Sequence, residues 1–285
     1  MDPVASPPPI RRRRVLRTVG FVVLVFVVAP HVALWFLQDR FIYVAPHYTP
    51  AELRQLPPGL VALHDPEDAA SILGFYRAPS SGQPPRRLWL LFGGNGNTAL
   101  RWDPLIAESA TDQGFLLVEY PGYGARAGRP SPETLRQGTE VTIAVLARQL
   151  ELEQSELTPR IAVIGYSLGA AAALDYASLH RVQRIILFAP FTTMLDMARR
   201  FVGSPVCHLL SHRYDNLATL RTIEAHGAPP LTILHGDQDD FIPPAMGRAL
   251  AARAPGCDFE LVPGAHHGDL IEVAQVRLRE LLSEP

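Results

Sequence analysis

Residues 160–169, RIAVIGYSLG, contain the turn on which the fold prediction rests. The apolar run Arg160–Tyr166 predicts a buried strand, and the small residues after Ser167 predict a helix. Gly165, Ser167 and Gly169 fit the pattern G-x-S-x-G, in which a sharp strand-to-helix turn strains the serine backbone and exposes its hydroxyl. The alternative is a glycine-rich turn with an incidental serine. The strand and the helix on either side favour the interpretation of Ser167 as a nucleophile.

Further apolar runs alternate with helical segments along the rest of the chain. We predict strands at 88–94, 114–120, 184–190, 231–236 and 259–264, two more within 59–78 that begin the sheet antiparallel, and helices at 97–113, 132–152, 168–178, 244–254 and 269–283. The runs are continuous, as in strands buried on both faces of a parallel sheet. This order predicts an α/β three-layer sandwich with a mostly parallel sheet.

The composition is typical of a folded domain and excludes other classes. Of 285 residues, 47% are hydrophobic, which excludes a disordered chain. The 26 basic residues, all arginine, nearly balance 28 acidic ones, so we expect no nucleic-acid binding. Two cysteines cannot form a disulfide framework or a four-thiolate zinc site. Pairing of Cys207 with Cys257 and the oligomeric state are left open.

The N-terminal region predicts a membrane anchor outside the folded domain. Residues 1–17 form an arginine-rich tail, and residues 18–37 contain no charged side chain. Twenty helical residues span about 30 Å, enough for the hydrocarbon core of a bilayer. By the positive-inside rule, the tail is cytoplasmic and residues 40–285 are extracytoplasmic. The alternative is a cleaved signal peptide.

We find no linker within residues 40–285 and predict that they form one domain. Its longest stretch without a predicted strand, residues 191–229, predicts a small cap over the strand ends. The cap contains Cys207 and His208 with His212 and Asp215, but without an H-E-x-x-H pattern we interpret them as cap surface and predict no metal site.

Five segments resemble the α/β-hydrolase superfamily: FGGNGN (92–97), EYPGYGARAGRPS (119–131), GYSLG (165–169), HGDQDDFIP (235–243) and GAHHGD (264–269). Within it, residues 40–285 are similar to small serine hydrolases that carry one N-terminal anchor and no large lid domain. We interpret the 119–124 turn as architectural, with Tyr123 as a possible pocket wall.

The resemblance implies a catalytic triad in the chain order serine, acid, histidine. Ser167 is the nucleophile. The family pattern puts Asp239 in the acid position, with Asp237 and Asp240 as turn or cap residues. His267 stands in the histidine position, while the neighbouring His266 stands where glycine is usual.

The resemblance also implies an oxyanion hole of two backbone N–H groups. One belongs to Leu168, directly after the nucleophile. The other is assigned to Asn95 in the loop Gly93–Asn97, with Gly96 as the alternative. Nucleotide binding by this glycine-rich loop is disfavoured, because there is no P-loop lysine and no Rossmann spacing.

These features predict a membrane-anchored serine hydrolase that cleaves carboxylic acyl esters through an acyl-enzyme, with a small-molecule acyl substrate and no cofactor. Lipid-derived acyl groups fit a membrane location. The alternatives are thioesters, monoacylglycerols or peptides cleaved by the same triad, and a non-catalytic scaffold that binds a partner.

Overall fold

An eight-stranded sheet organises the computed structural model. The model describes residues 10–29, 32, 38–40, 42–107, 112–204 and 206–284. The strands are β1 (Leu60–His64), β2 (Ile72–Arg77), β3 (Arg87–Phe92), β4 (Gln113–Val118), β5 (Ile161–Tyr166), β6 (Ile185–Phe188), β7 (Leu231–Gly236) and β8 (Asp258–Val262). Their order is β1-β2-β4-β3-β5-β6-β7-β8. β2 is antiparallel to both of its neighbours, and the other pairs are parallel. The predicted α/β class and mostly parallel sheet are confirmed.

Helices follow most of the strands. The α-helices are Ile10–Val23, Pro50–Arg54, Asp103–Ile106, Pro132–Gln149, Gln154–Leu157, Leu168–Leu179, Met194–Val202, Asn216–Ala225, Pro244–Ala251, Leu270–Val273 and Gln275–Ser283. The single helix predicted over 97–113 is wrong. A 3₁₀ turn, Ala99–Trp102, precedes the short helix that begins at Asp103. Pro104 has no N–H to donate to residue 100, so it is tolerated only in the first turn of a helix.

Both faces of the sheet are buried, which explains the continuous apolar runs. Along β3, Leu88 and Leu90 belong to one core and Trp89 and Leu91 to the other, all of them fully buried. The first core includes side chains from the helices Pro132–Gln149 and Leu168–Leu179. The second includes side chains from 99–106 and from the C-terminal helix. The helices and sheet therefore form three layers.

The parallel strands bring distant loops to one edge of the sheet. β3, β5, β7 and β8 run in the same direction, so their carboxyl ends share an edge. The loops after these strands contain all the predicted site residues: Asn95, Ser167 with Leu168, Asp239 and His267. This is the usual position of ligand sites in α/β sheets.

The stretch predicted as a cap contains the helix Met194–Val202, a 3₁₀ turn at Val206–Leu209 and the helix Asn216–Ala225. Its two halves are joined where the N–H of Met194 donates to the carbonyl of Tyr214, at 2.8 Å.

The N-terminal helix Ile10–Val23 continues as a π-helical turn at Leu24–Val28. Residues 1–9 of the predicted tail, and residues 30, 31 and 33–37 of the predicted span 18–37, lie outside the described residues. Within the described part of the chain, no helix is both long and apolar enough to cross a membrane. The helix Ile10–Val23 carries five arginines, which lowers its hydropathy. The predicted transmembrane helix is therefore not supported by the structure.

Candidate active site

Ser167 occupies the sharp turn between β5 and the helix Leu168–Leu179. Its backbone has φ 56° and ψ −115°, a region that residues other than glycine seldom adopt. Its N–H donates to the carbonyl of Phe188 at 2.9 Å, which ties the turn to β6. A Cβ atom at Gly165 would collide with the carbonyl of Gly169, and one at Gly169 with the carbonyl of Phe92. Both glycines are required because backbone atoms occupy that space.

Three of the predicted site residues form a continuous chain of hydrogen bonds. Nε2 of His267 lies 3.1 Å from Oγ of Ser167, and its Nδ1 lies 2.8 Å from Oδ2 of Asp239. An ionised carboxylate only accepts hydrogen bonds, so Nδ1–H of His267 donates to Asp239. Nε2 then accepts the proton of the Ser167 hydroxyl. This is the arrangement in which a serine hydroxyl is activated.

Asp239 is held as a buried carboxylate. Its Oδ1 accepts the N–H groups of Phe241 and Ile242 at 3.1 and 2.8 Å. Nε2 of His235, which is also fully buried, lies 3.5 Å from Oδ2. Burial by itself would raise the pKa of Asp239, but the nearby His235 and the hydrogen bonds with His267 and Ile242 outweigh this and lower the pKa well below its usual value. Asp239 therefore stays ionised and orients the imidazole.

The alternative acids and the second histidine lie outside this hydrogen-bonded chain. Oδ1 of Asp237 accepts the N–H of Gly264 at 2.7 Å, and the carbonyl of Asp240 accepts from Arg200. His266 is exposed, and its N–H donates to Asp269 at 2.7 Å. Asp237 thus joins the loops after β7 and β8, Asp240 contacts the cap helix, and His266 bonds within its own loop.

Two aromatic rings that were not predicted from the sequence hold the imidazole of His267. Tyr166 stacks on it with ring centroids 5.2 Å apart, and Phe241 packs against it at 4.9 Å. The hydroxyl of Tyr166 also donates to the carbonyl of His267. Glycine is required at position 94, because a Cβ atom there would collide with the ring of Tyr166. An aromatic residue directly before the nucleophile was the available signal.

The N–H groups of Asn95 and Leu168 are available to a ligand. Within the described residues, neither donates a hydrogen bond to a protein acceptor. Leu168 is the first residue of its helix, where backbone N–H groups have no partner within the helix. Both residues line the same cavity as Ser167. The alternative donor residue, Gly96, does not line it.

This cavity has a volume of about 450 Å³ and is mostly apolar. The cap contributes Met194, Met197, Ala198 and Phe201 to its wall. Gln38, Ile42 and Val44, which follow the predicted membrane span, form another part of the wall. The cap was expected near the strand ends, whereas nothing in the sequence indicated that Gln38, Ile42 and Val44 line the same cavity as the nucleophile. An apolar chamber that opens onto Ser167 suits an acyl chain.

Cys207 is buried in the cavity wall and Cys257 is half-buried, and the two are not paired. Over the described residues, no group of three or more His, Cys, Asp or Glu side chains is arranged to hold a metal.

Residues 89–218 match the model of the Alpha/beta hydrolase family. An uncharacterized protein of Mycobacterium tuberculosis is 28% identical over 258 residues, 89% of this chain and 89% of that protein. Alpha/beta hydrolase domain-containing protein WAV2 of Arabidopsis thaliana is 31% identical over 170 residues, 54% of each chain. Among solved structures, an esterase of Pyrococcus furiosus has a TM-score of 0.58 at 18% identity, covering 84% of this chain and 95% of its own. An esterase of a Rhodococcus species has a TM-score of 0.55 at 15% identity, covering 79% and 99%.

The strand order and the serine-bearing turn define the α/β-hydrolase fold. Residues 89–218 of this chain are thus similar to the Alpha/beta hydrolase family.

Proposed function

We propose that this protein is a serine hydrolase that cleaves carboxylic acyl esters through an acyl-enzyme. The observation that carries the proposal is the connected chain from Ser167 through His267 to Asp239, with hydrogen-bonding distances of 3.1 and 2.8 Å. The strained turn and the apolar cavity beside Ser167 support it. Asp239, His267 and Ser167 act here as orienting acid, general base and nucleophile.

Acylation follows from this geometry. Nε2 of His267 takes the hydroxyl proton of Ser167 while Oγ attacks the carbonyl carbon of the ester. The carbonyl oxygen becomes an oxyanion and accepts hydrogen bonds from the N–H groups of Asn95 and Leu168. The tetrahedral intermediate collapses, the bond to the alcohol oxygen breaks, and His267 returns the proton to the departing alcohol.

Deacylation repeats the same steps with water as the nucleophile. His267 takes a proton from water, and the resulting hydroxide attacks the acyl carbon bound to Ser167. The oxyanion of this second step accepts hydrogen bonds from the same two N–H groups. When the bond to Oγ breaks, His267 returns its proton to Ser167 and the carboxylic acid leaves.

We further propose that residues 18–37 attach the protein to a membrane, with the catalytic domain on the extracytoplasmic side. Their lack of charge and the arginine cluster before them support this orientation. At the membrane surface, lipid-derived esters are the substrates that the domain would meet. The apolar cavity wall is consistent with a long acyl chain.

A fluorescent fluorophosphonate probe tests the nucleophile directly. The wild-type chain should be labelled, and Ser167→Ala should lose labelling completely because the attacking oxygen is absent. Near-identical melting temperatures of the two proteins would exclude unfolding as the cause. Equal labelling of both proteins, or a folded wild type that neither takes up the probe nor hydrolyses a panel of acyl esters, would contradict the proposed function.

A further inference from the structure

The loop that carries the proposed oxyanion donor needs support from elsewhere in the molecule. Gly93, Gly94 and Gly96 surround Asn95, and Gly96 has φ +78°. Glycines give a backbone wide conformational freedom. An oxyanion donor, however, acts only when its N–H lies about 2.7–3.1 Å from the position of the developing charge.

The carboxamide of Asn95 supplies this support through three hydrogen bonds. Its Oδ1 accepts from the N–H of Val44 at 2.7 Å and from the hydroxyl of Tyr123 at 2.8 Å. Its Nδ2 donates to the carbonyl of Ile42 at 2.7 Å. Oδ1 thereby uses both of its lone pairs. Asn95 itself stays exposed, as a residue that meets substrate must.

The hydroxyl partner of Asn95, and the residue between its two backbone partners, are buried in the core. Tyr123 is fully buried, and Tyr43, between the two backbone partners, is also in the core. Tyr120 holds the start of the same loop, since its hydroxyl donates to the carbonyl of Gly93 at 2.7 Å. The rings of Tyr120 and Tyr123 meet edge to face, with centroids 5.4 Å apart. Burial raises the pKa of both phenols, so both remain hydrogen-bond donors at neutral pH.

We infer that the Asn95 carboxamide, Tyr123 and the segment 42–44 position the backbone N–H of Asn95 for the oxyanion. The segment that follows the N-terminal helix is therefore part of the active site. Ile42 and Val44 also line the cavity, so one short segment supports the oxyanion donor and shapes the acyl pocket. This inference rests on the proposed function, because it assigns a role within the same reaction.

The competing explanation is purely structural: the hydrogen bonds of the Asn95 carboxamide only hold the segment 42–44 against the domain. Tyr48 offers a matched control. Its hydroxyl donates to Oε2 of Glu119 at 2.6 Å and so ties down the same part of the chain without contact to Asn95. Tyr48→Phe and Tyr123→Phe each remove one phenolic hydroxyl.

The experiment measures kcat and KM for a soluble p-nitrophenyl ester, and Ki for a trifluoromethyl ketone that forms an oxyanion on the nucleophile. Loss of a complete oxyanion donor typically lowers kcat about 10²–10³-fold. Since Tyr123→Phe only loosens the donor, we expect kcat to fall about tenfold with KM unchanged, and Ki to rise by a similar factor. Asn95→Ala should show a larger effect of the same kind. Tyr48→Phe should stay within about twofold of wild type.

Each outcome decides the inference. Wild-type kcat and Ki in Tyr123→Phe, a change in KM alone, or equal losses in Tyr123→Phe and Tyr48→Phe would overturn it. If Asn95→Ala fails to fold, the two tyrosine variants still give the answer. A folded wild type with no ester hydrolysis and no fluorophosphonate labelling would overturn the proposed function, and the inference with it.

Discussion

Glu119, directly after β4, is a carboxylic acid whose pKa is raised by its environment in the fold. It is almost fully buried, and its Oε2 accepts from the hydroxyl of Tyr48 and from the N–H of Ala99. Burial raises the pKa of Glu119 to about 7, although these hydrogen bonds and the nearby Arg126 act in the opposite direction. In the unfolded chain, the glutamate should titrate near its ordinary value of about 4.3.

This difference predicts a pH-dependent stability that Glu119→Gln removes. Between about pH 4.3 and 7, the folded protein keeps a proton that the unfolded chain has released. The contribution of Glu119 to the free energy of unfolding therefore falls as pH rises through this window and is constant above it. The total change is at most about 3–4 kcal/mol.

Urea unfolding of wild type and Glu119→Gln at pH 5 and pH 8 measures this contribution. The difference in unfolding free energy, wild type minus variant, should be lower at pH 8 than at pH 5. Subtracting the variant cancels the other titrating groups. A difference that does not change with pH would show that Glu119 is ionised throughout.

At the scale of elements, the cap helix Met194–Val202 shapes the substrate cavity. It begins where Oγ1 of Thr193 accepts the N–H of Asp196, and it ends before Gly203, which has φ +69°. Met194, Met197, Ala198 and Phe201 all line the cavity. Their spacing is that of one helix face, so the helix presents a single apolar stripe to the acyl chain.

Filling this stripe should shorten the acyl chain that the enzyme accepts. Ala198→Trp places a large ring in the cavity, and we expect the ratio of kcat/KM for a decanoyl ester over an acetyl ester to fall about tenfold or more. The adjacent Arg199 is exposed and does not line the cavity, so Arg199→Trp is a matched control. An unchanged ratio in Ala198→Trp, or an equal fall in both variants, would argue against this cavity as the acyl site.

At the scale of the whole molecule, the proposed anchor connects directly to the catalytic domain. Gln38, the first residue after the uncharged span 18–37, already lines the cavity, and its side chain accepts the N–H of Ser211 at 2.7 Å. An anchored protein would therefore hold its cavity close to the bilayer surface, since no linker separates the two.

Membrane fractionation of the full chain expressed in bacteria tests this arrangement. We expect the protein to remain in the membrane pellet after an alkaline carbonate wash, because an apolar span resists extraction. External protease added to spheroplasts should digest the catalytic domain. Release of intact chain by carbonate would contradict the anchor, whereas soluble protein with a smaller mass would indicate a cleaved signal peptide.

Much of the fold was predictable because both faces of the sheet are covered. Strands buried on two sides are apolar at most positions, so β3, β5 and β7 are evident as nearly continuous apolar runs, with Thr232 and His235 as buried polar exceptions in β7. The prediction of one helix over 97–113 failed because it did not take account of Pro104. Proline has no N–H, and this limits where a helix can begin. Local composition predicts the presence of an element better than its boundaries.

The amino-acid sequence by itself determined the order of strands and helices, and the glycines of the strand-to-helix turn indicated Ser167. The resemblance to the α/β-hydrolases then implied Asp239 and His267 as its partners. Tertiary structure alone decided which groups support them. The carboxamide of Asn95 reaches the backbone of Val44, 51 positions away, and Tyr166 stacks on an imidazole 101 positions later. Such contacts depend on how loops converge in space, and no local pattern records that convergence.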